Sequence, residues 1–236
     1  MPVYCITGVN RGLGLEFIRQ IAQDSSNTIL ATTRANADTS DLKKVVSSNT
    51  HILECDVSDK SSVSSSASEA FKHLNGGKID FLLANAAVNS VPQQTCLDLH
   101  ADDLHRELDI NVIGPANLTS ILLEQGLLAE NVRIMNMTPG LGSMTRSLGI
   151  SPRKCAPYSI SKAGVNMLTV HQSGVLKEKL GGEYQRDAEG CERLEGKRQW
   201  EVLPVRWGGG RMVDLVDPRL CIAEAYRLTI IRIGVQ

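Results

Sequence analysis

Val3-Tyr4-Cys5-Ile6-Thr7-Gly8-Val9-Asn10-Arg11-Gly12-Leu13-Gly14 joins a short apolar run to a loop with three glycines. Beyond it, Leu15, Ile18, Ile21 and Ala22 recur on one side of a helical period. Strand, glycine loop and helix together form an arrangement that grips a dinucleotide. The glycines allow a tight turn and let backbone approach a pyrophosphate. The helix then offers unpaired N–H groups and the positive end of its dipole to the phosphates. The spacing is Gly-x-x-x-Gly-x-Gly, not the commoner Gly-x-Gly-x-x-Gly. Read alone, the loop also fits a turn glycine, Gly8, followed by two glycines that ease helix–sheet packing.

Four more apolar runs follow, separated by helical stretches. They are Thr28–Ala31, His51–Cys55, Ile79–Ala84 and Val132–Met137. Near-continuous apolar strands alternating with helices predict a parallel sheet covered on both faces. Ser58 is placed to cap a helix whose apolar stripe is Val63, Ala67, Ala70, Phe71 and Leu74, with the serines between 61 and 68 on its wet face. A long helical pattern runs from near Asp102 toward Leu128, and Gly114-Pro115 should disturb it midway. A further helix spans about Pro157 to Leu180, with Ile160, Val165, Leu168 and Leu176 among its apolar positions. After Gly181-Gly182 the pattern weakens. Trp200–Val205 and Leu228–Ile233 read as candidate strands.

A chain of 236 residues buries roughly 70–75% of its unfolded surface, enough for one sizeable core. The net charge of −1 carries no long run of one sign. Composition therefore argues against a nucleic-acid or anionic-membrane partner. No apolar stretch reaches the roughly 18 residues of a membrane span, and no signal segment opens the chain. The six cysteines form no Cys-x-x-Cys pair and the five histidines no ligand cluster, so no metal site is expected. Cys5 and Cys55 read as buried small hydrophobes in strands. A reducing, cytoplasmic setting is expected.

Tyr158 and Lys162 are spaced i, i+4 at the start of the last clear helix, on one face. A free phenol, with its pKa near 10, is a poor acid–base group at neutral pH. A nearby ammonium stabilises the phenolate and makes proton exchange with an alcohol or carbonyl feasible. In isolation the pair also fits an exposed tyrosine and lysine on an ordinary helix.

The order of parts adds to this. The glycine loop follows the first strand, Cys55-Asp56-Val57 the third and Ala84-Asn85-Ala86-Ala87 the fourth. Asn111-Val112-Ile113-Gly114-Pro115 lies in the long helix, and Tyr158-Ser159-Ile160-Ser161-Lys162 follows the fifth strand. Over residues 3 to about 180 the chain resembles the short-chain dehydrogenase/reductase family, in particular its carbonyl reductases of the C-factor or sniffer type. The resemblance implies a single Rossmann-type domain over 1–236, an α/β fold with a doubly wound parallel sheet of order 3-2-1-4-5 and a divergent tail over 181–236.

It also implies roles. Tyr158 is the catalytic acid. Lys162 holds the cofactor's ribose hydroxyls and tunes Tyr158. Asn111 sits at a helix irregularity and anchors a water that relays protons to Lys162. The cofactor-binding set is Gly8, Asn10, Arg11, Gly12, Leu13 and Gly14 in the loop, Arg34, Asp56 at the adenine with Val57 beside it, and Asn85 and Ala86 along the ribose, together with Tyr158 and Lys162. Asp56 also fits a residue that begins a turn, and Asn111 a helix-kink residue. The helices around 102–128 and 157–180 form the family's oligomer surface, so a homodimer or homotetramer is expected.

Cofactor choice is read from the end of strand two. An acid there would bind the ribose 2′-hydroxyl of NAD; here the strand ends Thr32-Thr33-Arg34. Arg34 and Arg11 suit a 2′-phosphate, so NADP(H) is the expected cofactor.

Three departures weaken the enzyme reading. Pro139 stands where the family has the second serine of Asn-x-Ser-Ser, which bonds the substrate oxygen; proline has neither hydroxyl nor N–H. Thr138 or Ser143 is the nearest substitute. Ala87 replaces a glycine. The family's Pro-Gly after strand six is missing, because the only prolines after 180 are Pro204 and Pro218. The tail is either a divergent ending or the product of altered splicing or reading frame. The expected activity is slow NADPH-dependent reduction of small carbonyl compounds. The alternatives are a non-catalytic NADP(H)-binding relative acting through protein contacts, and a defective product that folds poorly.

Overall fold

The computed structural model describes residues 1–180 and the backbone of four later strands, β6 (Glu183–Tyr184), β7 (Arg206–Trp207), β8 (Gly210–Arg211) and β9 (Tyr226–Gly234). Five strands come first: β1 (Val3–Thr7), β2 (Thr28–Thr33), β3 (Thr50–Glu54), β4 (Ile79–Ala84) and β5 (Leu128–Pro139). They pair in parallel in the order β3-β2-β1-β4-β5, as the sequence predicts.

Alternation along β1 shows why both faces are apolar. Val3 and Cys5 enter one buried cluster with Leu30, Leu82 and Ile134; Tyr4 and Ile6 enter the other with Ile29, Ala31 and Leu83. The first cluster is completed by helices α2 (Lys60–His73), α4 (Gly114–Glu124) and α6 (Ala156–Leu180), the second by α1 (Gly12–Ile21). Each buried isoleucine or leucine contributes about 1.5–3 kcal/mol. Cys5 and Cys55 are buried as expected, and burial pushes their thiols up to about 12 and about 11.

Beyond β5 the sheet departs from an all-parallel pattern. β9 pairs with β5 antiparallel, with Pro139 opposite Tyr226, and β6 adds at its far side. Among the described residues, β7 and β8 pair with each other in a separate two-stranded sheet. β9 covers the expected Leu228–Ile233 strand, whereas Trp200–Val205 lies outside the described residues.

Three helical details correct the sequence reading. The N-cap of α2 is Asp59, not Ser58. Asp56 Oδ1 accepts from both the N–H and the hydroxyl of Ser58, at 3.0 and 2.6 Å, closing a turn that engages Ser58. The helix therefore starts one residue later, with Asp59 Oδ1 accepting from Ser61 N at 2.8 Å. Phe71 leaves the α2 stripe: it is 62% exposed, while Val63, Ala67, Ala70 and Leu74 are buried. Ile160 is exposed as well. The inward face of α6 is Tyr158, Ser161, Lys162, Val165, Thr169, Gln172 and Leu176, and Ile160 falls outside that repeat.

The long central helix is broken where expected. α3 (Ala101–Leu108) passes into a π-helical turn at Asp109–Ile113 before α4 begins. Pro115, four residues after Asn111, has no N–H to give Asn111's carbonyl, and Gly114 N instead reaches back to Asp109 O. No helix among the described residues is long and apolar enough to cross a membrane.

Candidate active site

The carboxyl ends of β1, β4 and β5 converge. Gly8, after β1, has φ of +69°, a conformation that side chains rarely adopt. Its N–H and that of Val9 both donate to Thr32 O, tying the loop to the end of β2. Gly14, inside α1, admits no side chain: a Cβ would lie 2.3 Å from Gly8 O and 2.7 Å from Asn85 Nδ2. We expect Gly14→Ala to destabilise the fold by about 1–3 kcal/mol through overpacking, read as a lowered unfolding midpoint. An unchanged midpoint would refute the crowding.

Gly12 (φ +60°) is the reverse case, for a Cβ placed there would meet nothing within 4 Å. The first turn of α1 has no side-chain cap and no acidic residue, unlike α2, whose start is capped. An open loop and an uncapped helix start fit a dinucleotide pyrophosphate. Of the loop residues, Arg11 is exposed and Asn10 and Leu13 are half-buried.

Asn85 serves the protein's own backbone. Its Nδ2 donates to Thr7 O and Gly8 O at 2.9 and 3.1 Å, fixing β4 to the glycine loop. Ala86 packs directly against Gly8, and Ala87 is exposed. At the ends of β2 and β3, a groove of about 730 Å³ is lined by Arg34, Asn36, Asp56 and Ser62, among others. Arg34 is exposed there. Val57 is buried and packs against Gly114, holding α4 close to the sheet.

Tyr158 and Lys162 are both buried on the first turns of α6, with Lys162 Nζ 5.7 Å from the phenol ring centre. Lys162 Nζ donates to Met137 O at 2.7 Å, which fastens α6 to the end of β5. Burial lowers the Lys162 ammonium to about 8, and Glu107 opposes that shift. Gly142 permits the approach, since a Cβ on it would meet the Lys162 carbonyl at 2.8 Å.

Asn111 is fully buried on the π turn. Its Oδ1 accepts from Val88 N at 2.8 Å, and its Nδ2 lies 2.9 Å from Val88 O, Glu107 Oε2 and Ser161 Oγ. The structure thus brings Asn111, Tyr158 and Lys162 into one connected cluster. Glu107 and Ser161 belong to that cluster, and the sequence reading does not single them out. A carboxylate one turn before Asn111, in an otherwise patterned helix, is the available signal for Glu107.

Both candidate hydroxyls have protein partners. Thr138 Oγ1 donates to Lys162 O at 3.4 Å. Ser143 Oγ accepts from Arg146 N as the cap of the short helix α5 (Met144–Ser147), which leaves its own proton available for another acceptor.

A parallel sheet with a glycine loop at its carboxyl edge, and a tyrosine–lysine pair facing that edge, defines a Rossmann-type fold with a candidate site at that edge. The chain belongs to the short-chain dehydrogenase family, whose model, described as short chain dehydrogenase, matches residues 2–178. Short chain dehydrogenase virK of Hypocrea virens is 30% identical over 178 residues, covering 70% of this chain; the chain spans 65% of that protein's length. The NADPH-bound carbonyl reductase from chicken fatty liver is similar at 25% identity and a TM-score of 0.67, over 76% of this chain and 72% of that one. Carbonyl reductase Sniffer of D. melanogaster shares the fold, at 24% identity and a TM-score of 0.63, over 76% and 77%.

Proposed function

We propose that the protein is an NADPH-dependent reductase of small carbonyl compounds with slow turnover. The observation that carries the reading is the buried Tyr158–Lys162 pair, held between the end of β5 and the Asn111 turn. A bound nicotinamide supplies the hydride. Tyr158 gives its phenolic proton to the carbonyl oxygen, and Lys162 stabilises the phenolate that remains. Lys162 would also hold the cofactor's ribose hydroxyls, and the Asn111 turn would anchor the water that returns a proton. With Pro139 at the position from which the family bonds the substrate oxygen, the second hydrogen bond is either missing or falls to Thr138 or Ser143, and turnover is slow.

Preference for NADP(H) is supported by the exposed Arg34 beside the groove, by Arg11, and by the lack of a carboxylate at the end of β2. The chicken reductase's bound NADPH agrees with it. Arg34→Asp should weaken NADPH binding by about 1.5–3 kcal/mol, the range of a charge-assisted hydrogen bond. Fluorescence titration checks this, and equal native affinity for NADPH and NADH would refute the preference. Exposed apolar side chains on α6, namely Ile160, Met167, Val170 and Val175, with Ile113 on the π turn, support a homodimer or homotetramer.

A second reading is favoured by one observation. Pro139 offers no donor and Thr138's hydroxyl is engaged by Lys162 O, which suits a relative that binds NADP(H) without reducing a substrate.

A further inference from the structure

The carboxylates that line the groove at the ends of β2 and β3 differ in how they are held. Glu69 is paired with Lys72, and Asp59 is exposed and caps α2. Asp56 is half-buried, between the buried Cys55 and Val57. Its backbone is braced on both sides. Its N–H donates to Ser62 Oγ at 2.9 Å, and its carbonyl accepts from Asp59 N at 3.1 Å.

The carboxylate is held as well. Oδ1 accepts from Ser58 N at 3.0 Å and from Ser58 Oγ at 2.6 Å. Both donors come from one residue and both go to one oxygen. The terminal torsion of an aspartate is broad on its own, and two donors on Oδ1 narrow it. Among the described residues Oδ2 has no partner, and its side chain lines the groove. An ionised carboxylate oxygen accepts N–H or O–H and has no proton to give. Ser58 is exposed and lies outside the groove's lining, so what it does for a ligand it does through Asp56.

We infer that Ser58 is a positioning residue for purine recognition: it fixes the Asp56 carboxylate so that Oδ2 accepts from the exocyclic amino group of an adenine in the groove. The inference rests on the NADP(H) reading and adds to it a selection among purines. Adenine offers an amino donor on that edge. Hypoxanthine has a carbonyl oxygen in its place, and one acceptor set against another loses affinity. Removing the Ser58 hydroxyl leaves Oδ1 one donor in place of two. The carboxylate then turns more freely, and the cost of ordering it falls on the ligand.

Fluorescence titration of the full chain with NADPH and with its reduced hypoxanthine analogue tests this. Both carry the same nicotinamide, so one signal reads both. The native protein should prefer NADPH by about tenfold, the size of one charge-assisted hydrogen bond. Ser58→Ala should weaken NADPH binding by about three- to fivefold, the range of one lost hydrogen bond, and leave the analogue's affinity near native. Ser58→Thr, which keeps the hydroxyl, should restore the preference. In Asp56→Ala the preference should vanish, and adding Ser58→Ala should change nothing further. Ser61→Ala makes the same deletion beside the exposed Asp59, whose Oδ1 accepts from Ser61 N and Oγ at 2.8 and 2.7 Å. It should leave the preference intact.

Equal weakening of both dinucleotides in Ser58→Ala overturns the inference, because a merely structural effect does not distinguish the two bases. A selective loss in Ser61→Ala overturns it too. Should Ser58→Ala not fold, Ser58→Gly removes the same hydroxyl and keeps the N–H, and the same outcomes decide. Equal native affinity for the two dinucleotides overturns the inference without any variant. A native protein that binds neither refutes the NADP(H) reading and the inference with it. One that shows the expected preference and its loss in Ser58→Ala, yet reduces no carbonyl, refutes the reductase reading and supports the role of Ser58.

Discussion

Tyr158→Phe is expected to abolish carbonyl reduction while leaving NADPH affinity nearly unchanged. The substitution removes one hydroxyl from a buried ring and keeps the ring's packing at the start of α6. Lys162 stays anchored through Met137 O, and the glycine loop is untouched. Proton donation would then fall to water, and loss of a positioned acid costs about 10²–10⁴ in rate. Steady-state NADPH oxidation, paired with a fluorescence titration of the cofactor, separates the two effects. Residual turnover equal to the native rate would remove Tyr158 from the chemistry. A parallel loss of NADPH binding would make it a structural residue.

Pro139→Ser is the change expected to raise activity most. Pro139 is buried at the last position of β5, with φ −87° and ψ 172°. That is extended backbone, which serine adopts without strain. The gained hydroxyl would stand at the position from which the family bonds the substrate oxygen. Loss of one such donor commonly costs about 10²–10³ in rate, so the variant should be faster by about 10² where no other hydroxyl serves. The surrounding bonds favour a gain over neutrality, because Thr138 is engaged by Lys162 O. Ser143 is the competitor, since its capping bond to Arg146 N uses a lone pair and not its proton. An active protein that Pro139→Ser leaves no faster assigns the role to Ser143 or Thr138, and Ser143→Ala then distinguishes them by the size of its loss.

The sheet is legible in the sequence because its strands are apolar on both faces. Alternate residues of β1 feed two different clusters, so the run Val3–Ile6 admits neither a wet face nor an edge position. The break in the central helix is legible from Pro115, whose missing N–H acts on Asn111 four residues back. Boundaries are less so. Ser58 and Asp59 are both good caps, and only the turn closed by Asp56 decides between them. Phe71 reads as core by composition, yet the small Ala67 and Ala70 fill the buried stripe and leave it outside.

At the site, residue types can be read from the chain, but not what each hydrogen bond is aimed at. Asn85, expected along the ribose, directs its amide to Thr7 and Gly8. Glu107 escapes notice because a glutamate in a helix ordinarily faces water, and only the fold of α3 against Ser90 buries it. The antiparallel entry of β9 is also out of reach, for an apolar run specifies a strand and not its direction.

The central claim is tested most directly by following NADPH oxidation by the native protein against a panel of aldehydes, ketones and quinones, with Tyr158→Phe run beside it. The account predicts slow turnover of at least one carbonyl class, lost in Tyr158→Phe. A native protein that binds NADPH yet reduces nothing in the panel, and is not rescued by Pro139→Ser, would contradict it.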